Sequence, residues 1–196
     1  MRRRQFLLSS SAAVAASGLA LAGCTTTPLG SGNSAAQNAA KRNSIDAGVD
    51  ATLTRLFNTV TGSQELISKA SGVLVFPSVI SAGFWIGGQY GTGALRIGGR
   101  TDGYYSTVAG SFGLQIGAQS KAIIFAFMNQ GALEDFLKSQ GWAAGADATV
   151  AVVTVGANGN VDTSTATSPV EAFVLTNAGL MAGVSLEGVK VSRLVI

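Results

Sequence analysis

The spacing of apolar residues changes along this chain, and each change predicts a different kind of element. Over residues 44–61 apolar side chains recur every three or four positions, which places them in one stripe along a helix. Ser44 is a suitable N-cap for this helix, and Gly62 can end it. Ser63 can then begin a second, shorter helix that runs to Ala70.

From Gly72 onward the helical spacing gives way to short apolar and aromatic runs, which are typical of buried strands. The runs that predict strands are Gly72–Pro77, Ile80–Ile97, Tyr104–Ala118, Lys121–Met128, Thr149–Val155, Glu171–Thr176 and Leu180–Leu194. The turn residues that separate them are Gly98-Gly99, Thr101-Asp102-Gly103 and Asn158-Gly159-Asn160. One amphipathic helix interrupts the strands, with Asn129 as its cap, Gly141 as its end and Leu133, Phe136 and Leu137 as its apolar face.

The predicted strands are unusually rich in glycine, which weakens a flat strand because it has no side chain to pack. Bulges, sharp curvature and close approach of two backbones are the situations that favour it. The glycines concerned are Gly83, Gly87, Gly88, Gly91, Gly93, Gly110, Gly113, Gly117 and Gly183. We therefore predict an α+β fold: a strongly curved, barrel-like antiparallel sheet with two N-terminal helices and one inserted helix.

The N-terminus has the pattern of an export signal. Three arginines at residues 2–4 precede an uncharged apolar run, and Leu21-Ala22-Gly23-Cys24 resembles the lipobox of bacterial lipoproteins. Residues 1–23 are thus predicted to be removed, leaving Cys24 as the acylated first residue. A transmembrane anchor is the alternative, but the run of about 16 apolar residues is shorter than the roughly 20 that span a bilayer.

The segment after the lipobox divides into a tether and a domain. Residues 24–40 are small, polar and uncharged, which predicts a flexible lipidated tether that holds the domain within about 20–25 Å of the bilayer. Residues 41–196 form the predicted domain. Thr25 is not Asp, and under the Gram-negative sorting rule this favours the inner leaflet of the outer membrane, facing the periplasm.

Charge and composition exclude several function classes. Three of the 13 basic residues lie in the signal, so ten remain against ten acidic residues, and the mature body is neutral. Nucleic-acid binding is therefore not expected. Cys24 is the only cysteine and the chain has no histidine, so neither a disulfide, nor a metal site, nor a cofactor is predicted. Glu134 and Asp135 are adjacent and point about 100° apart on a helix, which does not suit a catalytic pair.

Several segments, taken together and in this order, resemble the SYLF-domain family. They are Ala70–Pro77, Ala82–Leu95, Gly110–Gln119, Ala182–Gly188, and Asn129 with Ala132-Leu133 and Phe136. The resemblance implies a non-catalytic, lipid-associated binding module with a barrel-like antiparallel sheet. Eukaryotic members bind phosphoinositide membranes, a yeast branch binds actin, and bacterial members are often exported.

The sequence departs from the family where membranes are recognised. Eukaryotic members use a strongly basic N-terminal segment, whereas residues 41–60 here carry a net charge of only +1. Each basic residue near an anionic surface contributes about 1 kcal/mol, so phosphoinositide specificity is not carried over. The residues that could contact lipid headgroups are Lys41, Arg42, Arg55, Lys69, Arg96 and Arg100.

One aromatic set leaves two interpretations open. Core and cross-strand packing is the ordinary role of such residues, and a membrane-facing or acyl-lining patch is the other. The residues concerned are Phe84, Trp85, Tyr90, Tyr104, Tyr105 and Phe112. For the whole chain we predict a membrane-anchored periplasmic lipoprotein whose domain binds lipid; a structural lipoprotein that docks an envelope protein is the alternative.

Overall fold

The computed structural model describes residues 35–83, 86–112, 119–154, 161, 168–181 and 184–196. The export signal, Cys24, most of the tether and the predicted turn at 158–160 lie outside these ranges. The helices are α1 (Ala35–Thr59), α2 (Ser63–Lys69) and α3 (Gln130–Lys138). The strands are β1 (Gly72–Gly83), β2 (Ile86–Ile97), β3 (Arg100–Phe112), β4 (Gln119–Phe127), β5 (Trp142–Ala143), β6 (Val150–Val152), β7 (Val170–Thr176), β8 (Gly179–Leu180) and β9 (Lys190–Arg193).

The strands form one strongly curled, half-barrel sheet, which confirms the predicted fold class. Their order is β5-β9-β3-β2-β1-β4-β7-β6, and β8 pairs with β7 beside this path. The sheet is mixed rather than purely antiparallel, because β6 runs parallel to β7. The chain from β6 to β7 passes through residues outside the description and returns in the same direction, which a tight hairpin could not do.

Helices cover parts of both faces of the sheet, so the central strands are buried on both sides. On one face, α1 and α2 pack with Val73, Val75 and Ile124. On the other face, Leu133 and Phe136 of α3 pack with a cluster of aromatic and aliphatic residues that includes Phe76, Phe125, Phe127 and Trp142. The continuous apolar runs of β4 and β7 follow from this burial, since both alternating sets of side chains face a core.

Helix α1 begins at Ala35, nine residues before the predicted start. Ser44 therefore lies inside the helix and caps nothing, and residues 35–40, which the sequence placed in the tether, are helical. Alanine is the best helix former, and the pair Ala39-Ala40 lets the helix extend toward its N-terminus without an apolar stripe. The predicted core positions are confirmed, since Ile45, Val49 and Leu56 are buried.

The predicted turns and caps of the strand region are confirmed in part. Asn129 caps α3, because its side-chain oxygen accepts a hydrogen bond from the Ala132 N–H at 2.8 Å. The Gly98-Gly99 turn is also present, with positive φ at both residues. Asp102-Gly103, however, lies within β3 rather than in a turn, next to an irregularity in the β2–β3 register. Leu137 was expected in the core and is exposed.

Close backbone approach is confirmed for two of the glycines. Strand β1 carries an irregularity between Val75 and Ser78, at Pro77, and β2 lies against this part of it. A Cβ atom at Gly93 would overlap the Val75 carbonyl, and one at Gly91 would lie 2.8 Å from the Ser78 carbonyl oxygen. A Cβ atom added at Gly88 would have nothing within 4 Å, so close backbone approach does not explain why glycine occurs at this position.

We expect Gly93→Ala to destabilise the domain by about 3 kcal/mol or more, because the new methyl group must displace the backbone of β1. Gly88→Ala is the matched control in the same strand, and it should change the free energy of unfolding by less than about 1 kcal/mol. Urea unfolding of both variants measures the difference. Equal effects would contradict the close contact between β1 and β2.

Candidate functional site

A groove lies between the helices α1 and α2 and the β2–β3 hairpin. Its volume is about 340 Å³, within the range that small ligands occupy. Leu53 of α1, Ile67 of α2 and Val73 of β1 supply apolar lining. Asp50, Arg96 and the hairpin glycines Gly98 and Gly99 supply polar or backbone lining. The groove therefore combines an apolar floor with a polar side.

Arg96 is held by α1 rather than left free at the groove. Its guanidinium forms ion pairs with Asp50 at 2.8 Å and with Asp46 at 3.4 Å, and its side chain is only 15 % exposed. It also donates to the Thr101 hydroxyl at 2.6 Å. These contacts join α1 to β2 and β3, so the charge of Arg96 is largely balanced within the fold.

Asp46 is the centre of this polar network. Its two carboxylate oxygens accept hydrogen bonds from the Thr101 and Tyr104 hydroxyls, both at 2.8 Å. Burial, and next the hydrogen bond to Asp46, raise the pKa of Tyr104 above its ordinary value. The sequence did not reveal the network, because Asp46 and Tyr104 are 58 positions apart.

Two of the predicted basic residues are sequence neighbours of residues that line the groove. Lys69 lies between the lining residues Ser68 and Ala70, and Arg100 follows the lining residue Gly99. Both are exposed. Lys69 pairs with Glu65 at 2.7 Å one helical turn away, and this hydrogen bond, followed by the charge of Lys69, lowers the pKa of Glu65. An exposed pair of this kind is weak and can exchange for another anion.

The other predicted basic residues are not among those that line this groove. Arg42 donates to the Ile196 carbonyl oxygen at 2.7 Å and so ties α1 to the C-terminal segment. Lys41 lies beside it and is partly buried, and Arg55 is exposed on α1. Of the six predicted basic residues, Arg96 alone is among the residues that line this groove, and Lys69 and Arg100 are sequence neighbours of lining residues.

The aromatic set divides between the two interpretations. Tyr105 is buried and packs against Phe136, with ring centroids 5.1 Å apart, which is the core role. Tyr90 is exposed, which the core role does not explain. Phe84, Trp85 and the side chain of Phe112 lie outside the described residues.

In the part of the chain that the structure describes, no group of three Cys, Asp or Glu residues could hold a metal ion. Glu134, next to Asp135, accepts from Gln130 and pairs with Lys138 at 3.3 Å on the surface of α3. Across the same described residues, no helix has the length and hydrophobicity that crossing a membrane requires.

Glu171 of β7 is the one buried carboxylate among the described residues. As a singly placed carboxylate it was expected to be a solvated turn or edge charge, and its burial shows that this expectation was wrong. One oxygen accepts from the Ser168 N–H at 3.3 Å, and the other has no hydrogen-bond partner among the described residues. Burial raises the pKa of Glu171 to about 7, although the hydrogen bond from Ser168 opposes the shift. Its directly paired neighbours on β4 and β6 are Ala126 and Ala151, and neither carries a charge.

Residues 108–193, from β3 to β9, match the family Ysc84, described as Las17-binding protein actin regulator. The resemblance to the SYLF-domain family is confirmed over this segment. No curated protein matches the chain.

The matched SYLF segment covers less than half of the chain and contains the end of β3, β4, α3 and the later strands. The groove lies outside it, because α1, α2, β1 and the β2–β3 turn all precede residue 108. The family description names a binding protein and a regulator, and we treat the groove as a binding site on its own geometry.

The buried carboxylate predicts a pH-dependent stability. The pKa of Glu171 is about 7 in the folded chain against 4.5 when unfolded, so the folded state holds the proton more tightly. Below pH 4.5 Glu171 is protonated in both states and does not oppose folding. As the pH rises to about 7, only the unfolded chain releases the proton, and the free energy of unfolding falls by about 2–3 kcal/mol. Urea unfolding of Glu171→Gln between pH 5 and pH 8 should show a flatter profile. Exposed Glu187→Gln is the control, and a profile unchanged by Glu171→Gln would contradict the assignment.

Proposed function

We propose that this chain is an exported, non-catalytic lipoprotein that is anchored through acyl chains on Cys24 and binds anionic lipid at the groove between α1, α2 and the β2–β3 hairpin. The anchor would hold it at the periplasmic face of the outer membrane. The observation that carries lipid binding is the apolar floor of this groove beside two exposed cations. The anchor itself is supported by the lipobox at residues 21–24.

The groove has suitable chemistry for the two parts of an amphiphile. Leu53, Ile67 and Val73 can take an apolar chain out of water, which is the favourable part of binding. Lys69 and Arg100 can contact a phosphate, and Arg offers a bidentate fork for it. Asp46 and Asp50 more than offset the charge of Arg96, so the attraction for an anion must come from the two outer cations.

A protein-binding role is the second candidate. The description of the matched family names Las17 binding and actin regulation, which are protein interactions. A second groove of about 390 Å³ lies between Val150 and Val152 of the terminal strand β6 and residues 184–187. An envelope protein could occupy it. Crosslinking in intact cells distinguishes the candidates, because lipid adducts favour the first and one dominant protein adduct favours the second.

Charge reversal at the rim tests lipid binding. In the mature chain with Cys24→Ser, we expect Lys69→Glu to weaken flotation with phosphatidylglycerol vesicles roughly 5- to 30-fold at low salt, since about 1 kcal/mol of attraction becomes a repulsion of similar size. Lys138→Glu is the matched control, because Lys138 forms the same kind of exposed i,i+4 pair on α3. Equal losses of flotation in the two variants would show that only the net charge of the domain matters, which would contradict binding at the groove. If the Cys24→Ser chain did not float at all, intrinsic lipid binding would be contradicted.

Acylation has a direct measurement. The intact mass of the protein from its native host should equal residues 24–196 plus acyl groups, and Cys24→Ala should remain an unprocessed precursor. Three acyl chains at about 0.8 kcal/mol per buried methylene would make attachment stable. A free Cys24 thiol on a released product would contradict the anchor and leave the groove to be tested by flotation.

A further inference from the structure

Three exposed apolar side chains form one row across the middle of the sheet. Ile80 of β1 lies directly opposite Tyr90 of β2, and Tyr90 lies directly opposite Val108 of β3. Because directly paired residues project to the same face, the three side chains are neighbours. They are 54 %, 53 % and 47 % exposed, although most large apolar side chains of these strands are buried. We call Ile80, Tyr90 and Val108 the apolar row.

The apolar row lies on the α1 face of the sheet, where that helix no longer covers the strands. Ala94 and Tyr104, farther along β2 and β3 on the same face, pack with the α1 cluster. The next positions toward the row, Thr92 and Ser106, are partly exposed. The α1 face is thus covered at the end near the groove and open at the apolar row.

In the described strands that carry or flank the row, no carboxylate lies next to it. Lys190 of β9 pairs with Val108, is exposed and extends the row at its end. Ser78, Thr92 and Ser106 form the adjacent row on one side, and exposed Gly88 and Gly110 lie on the other. Within β1, β2, β3, β4 and β9 the only carboxylate is Asp102, six positions from Val108. An apolar row that ends in a cation is complementary to the interface of an anionic bilayer.

We propose that the apolar row lies against the surface of the bilayer that anchors Cys24. This inference rests on the proposed anchor and goes beyond it, since it assigns the face of the domain that touches the membrane. Tyr90 is central, and its ring has the apolar body and polar tip that suit the boundary between headgroups and acyl chains. Ile80 and Val108 flank it, and Lys190 meets the headgroups.

The size of the row favours a bilayer over a protein partner. Three half-exposed side chains offer on the order of 300 Å², whereas a stable protein interface buries about 800 Å² on each partner. A surface this small is adequate for membrane contact once an anchor has already brought the domain to the bilayer. The second contact is then intramolecular and takes place at an effective concentration of about millimolar.

The chain between the anchor and the helix is long enough for this contact. Eleven residue steps separate Cys24 from Ala35, and whatever their conformation they can span up to about 36–40 Å. From Ala35 to Asp46, which contacts Tyr104, the helix rises about 17 Å, and from Tyr104 to Val108 the strand covers about 13 Å. With the Asp46–Tyr104 contact between these two legs, the row lies at most about 40 Å from the start of α1, a distance that the segment can just span.

Site-specific labelling tests the proposal independently of acylation. The mature chain with a hexahistidine segment in place of Cys24 is bound to vesicles that contain nickel-chelating lipid and phosphatidylglycerol. Because Cys24 is the only cysteine, Tyr90→Cys and Leu137→Cys each provide a single thiol for an environment-sensitive fluorophore. Leu137 is the matched control, as it is 37 % exposed and lies on α3, on the opposite face of the sheet.

We expect vesicle binding to reduce iodide quenching of the label at residue 90 about threefold or more and to make that label accessible to nitroxide lipids. The label at residue 137 should change by less than about 1.5-fold. Iodide quenching that is equally unchanged at both positions would overturn the proposal. Protection at residue 90 without quenching by nitroxide lipid would overturn it too, because the row would then be covered by protein. Neither result depends on native acylation, so failure here and failure of the proposed anchor are distinguishable.

Discussion

The close packing of β2 against the irregular part of β1 is the contact on which the rest of the structure depends. At Pro77 the β1 backbone departs from regular pairing, and β2 follows it only because Gly91 and Gly93 carry no side chain there. A bulge increases the local twist of a sheet, and this twist is what curls the strands into a half-barrel. On the α1 side, the ring of Pro77 lies against the helix at Gly48, where a Cβ atom would be 3.1 Å from the proline ring.

That packing also decides where the polar chemistry lies. Once α1 is seated on the curled sheet, Asp46 meets Thr101 and Tyr104, and Asp50 meets Arg96. These donors stabilise the partly buried carboxylate of Asp46. The position of α1 on the sheet is therefore fixed by directional hydrogen bonds as well as by apolar contact. Glu171 is the contrasting case, since it is buried with one backbone donor, and its second oxygen has no hydrogen-bond partner among the described residues.

The sequence predicted the helices, most strand positions and the curvature, because those follow from local spacing and from glycine content. It divided β1 and β2 wrongly, since it ended a strand at Pro77 and ran Ile80–Ile97 as one, whereas β1 continues to Gly83 and β2 begins at Ile86. It placed the start of α1 wrongly, since a run of alanine and small polar residues has helix propensity but no apolar stripe to reveal it. It expected a turn at Thr101-Asp102-Gly103, where tertiary pairing with β2 overrides the turn preference. The parallel pairing of β6 was also unforeseen, because pairing direction depends on the path of the intervening chain.

The candidate site could be predicted only in part. Charge and exposure suggested Lys69, Arg96 and Arg100, but they could not show that Arg96 is paired with two carboxylates from another element. The apolar row was equally hidden, since Ile80, Tyr90 and Val108 resemble ordinary core residues until their register and the limit of α1 are known. Long-range neighbours of this kind are a property of the topology rather than of local spacing.

The groove and the apolar row lie near opposite ends of the same strands. Val73 borders the groove and Ile80 belongs to the row, so about 20 Å of β1 separates them. A flat bilayer could therefore touch the row or the groove but not both at once, and the domain would have to reorient to pass from one contact to the other.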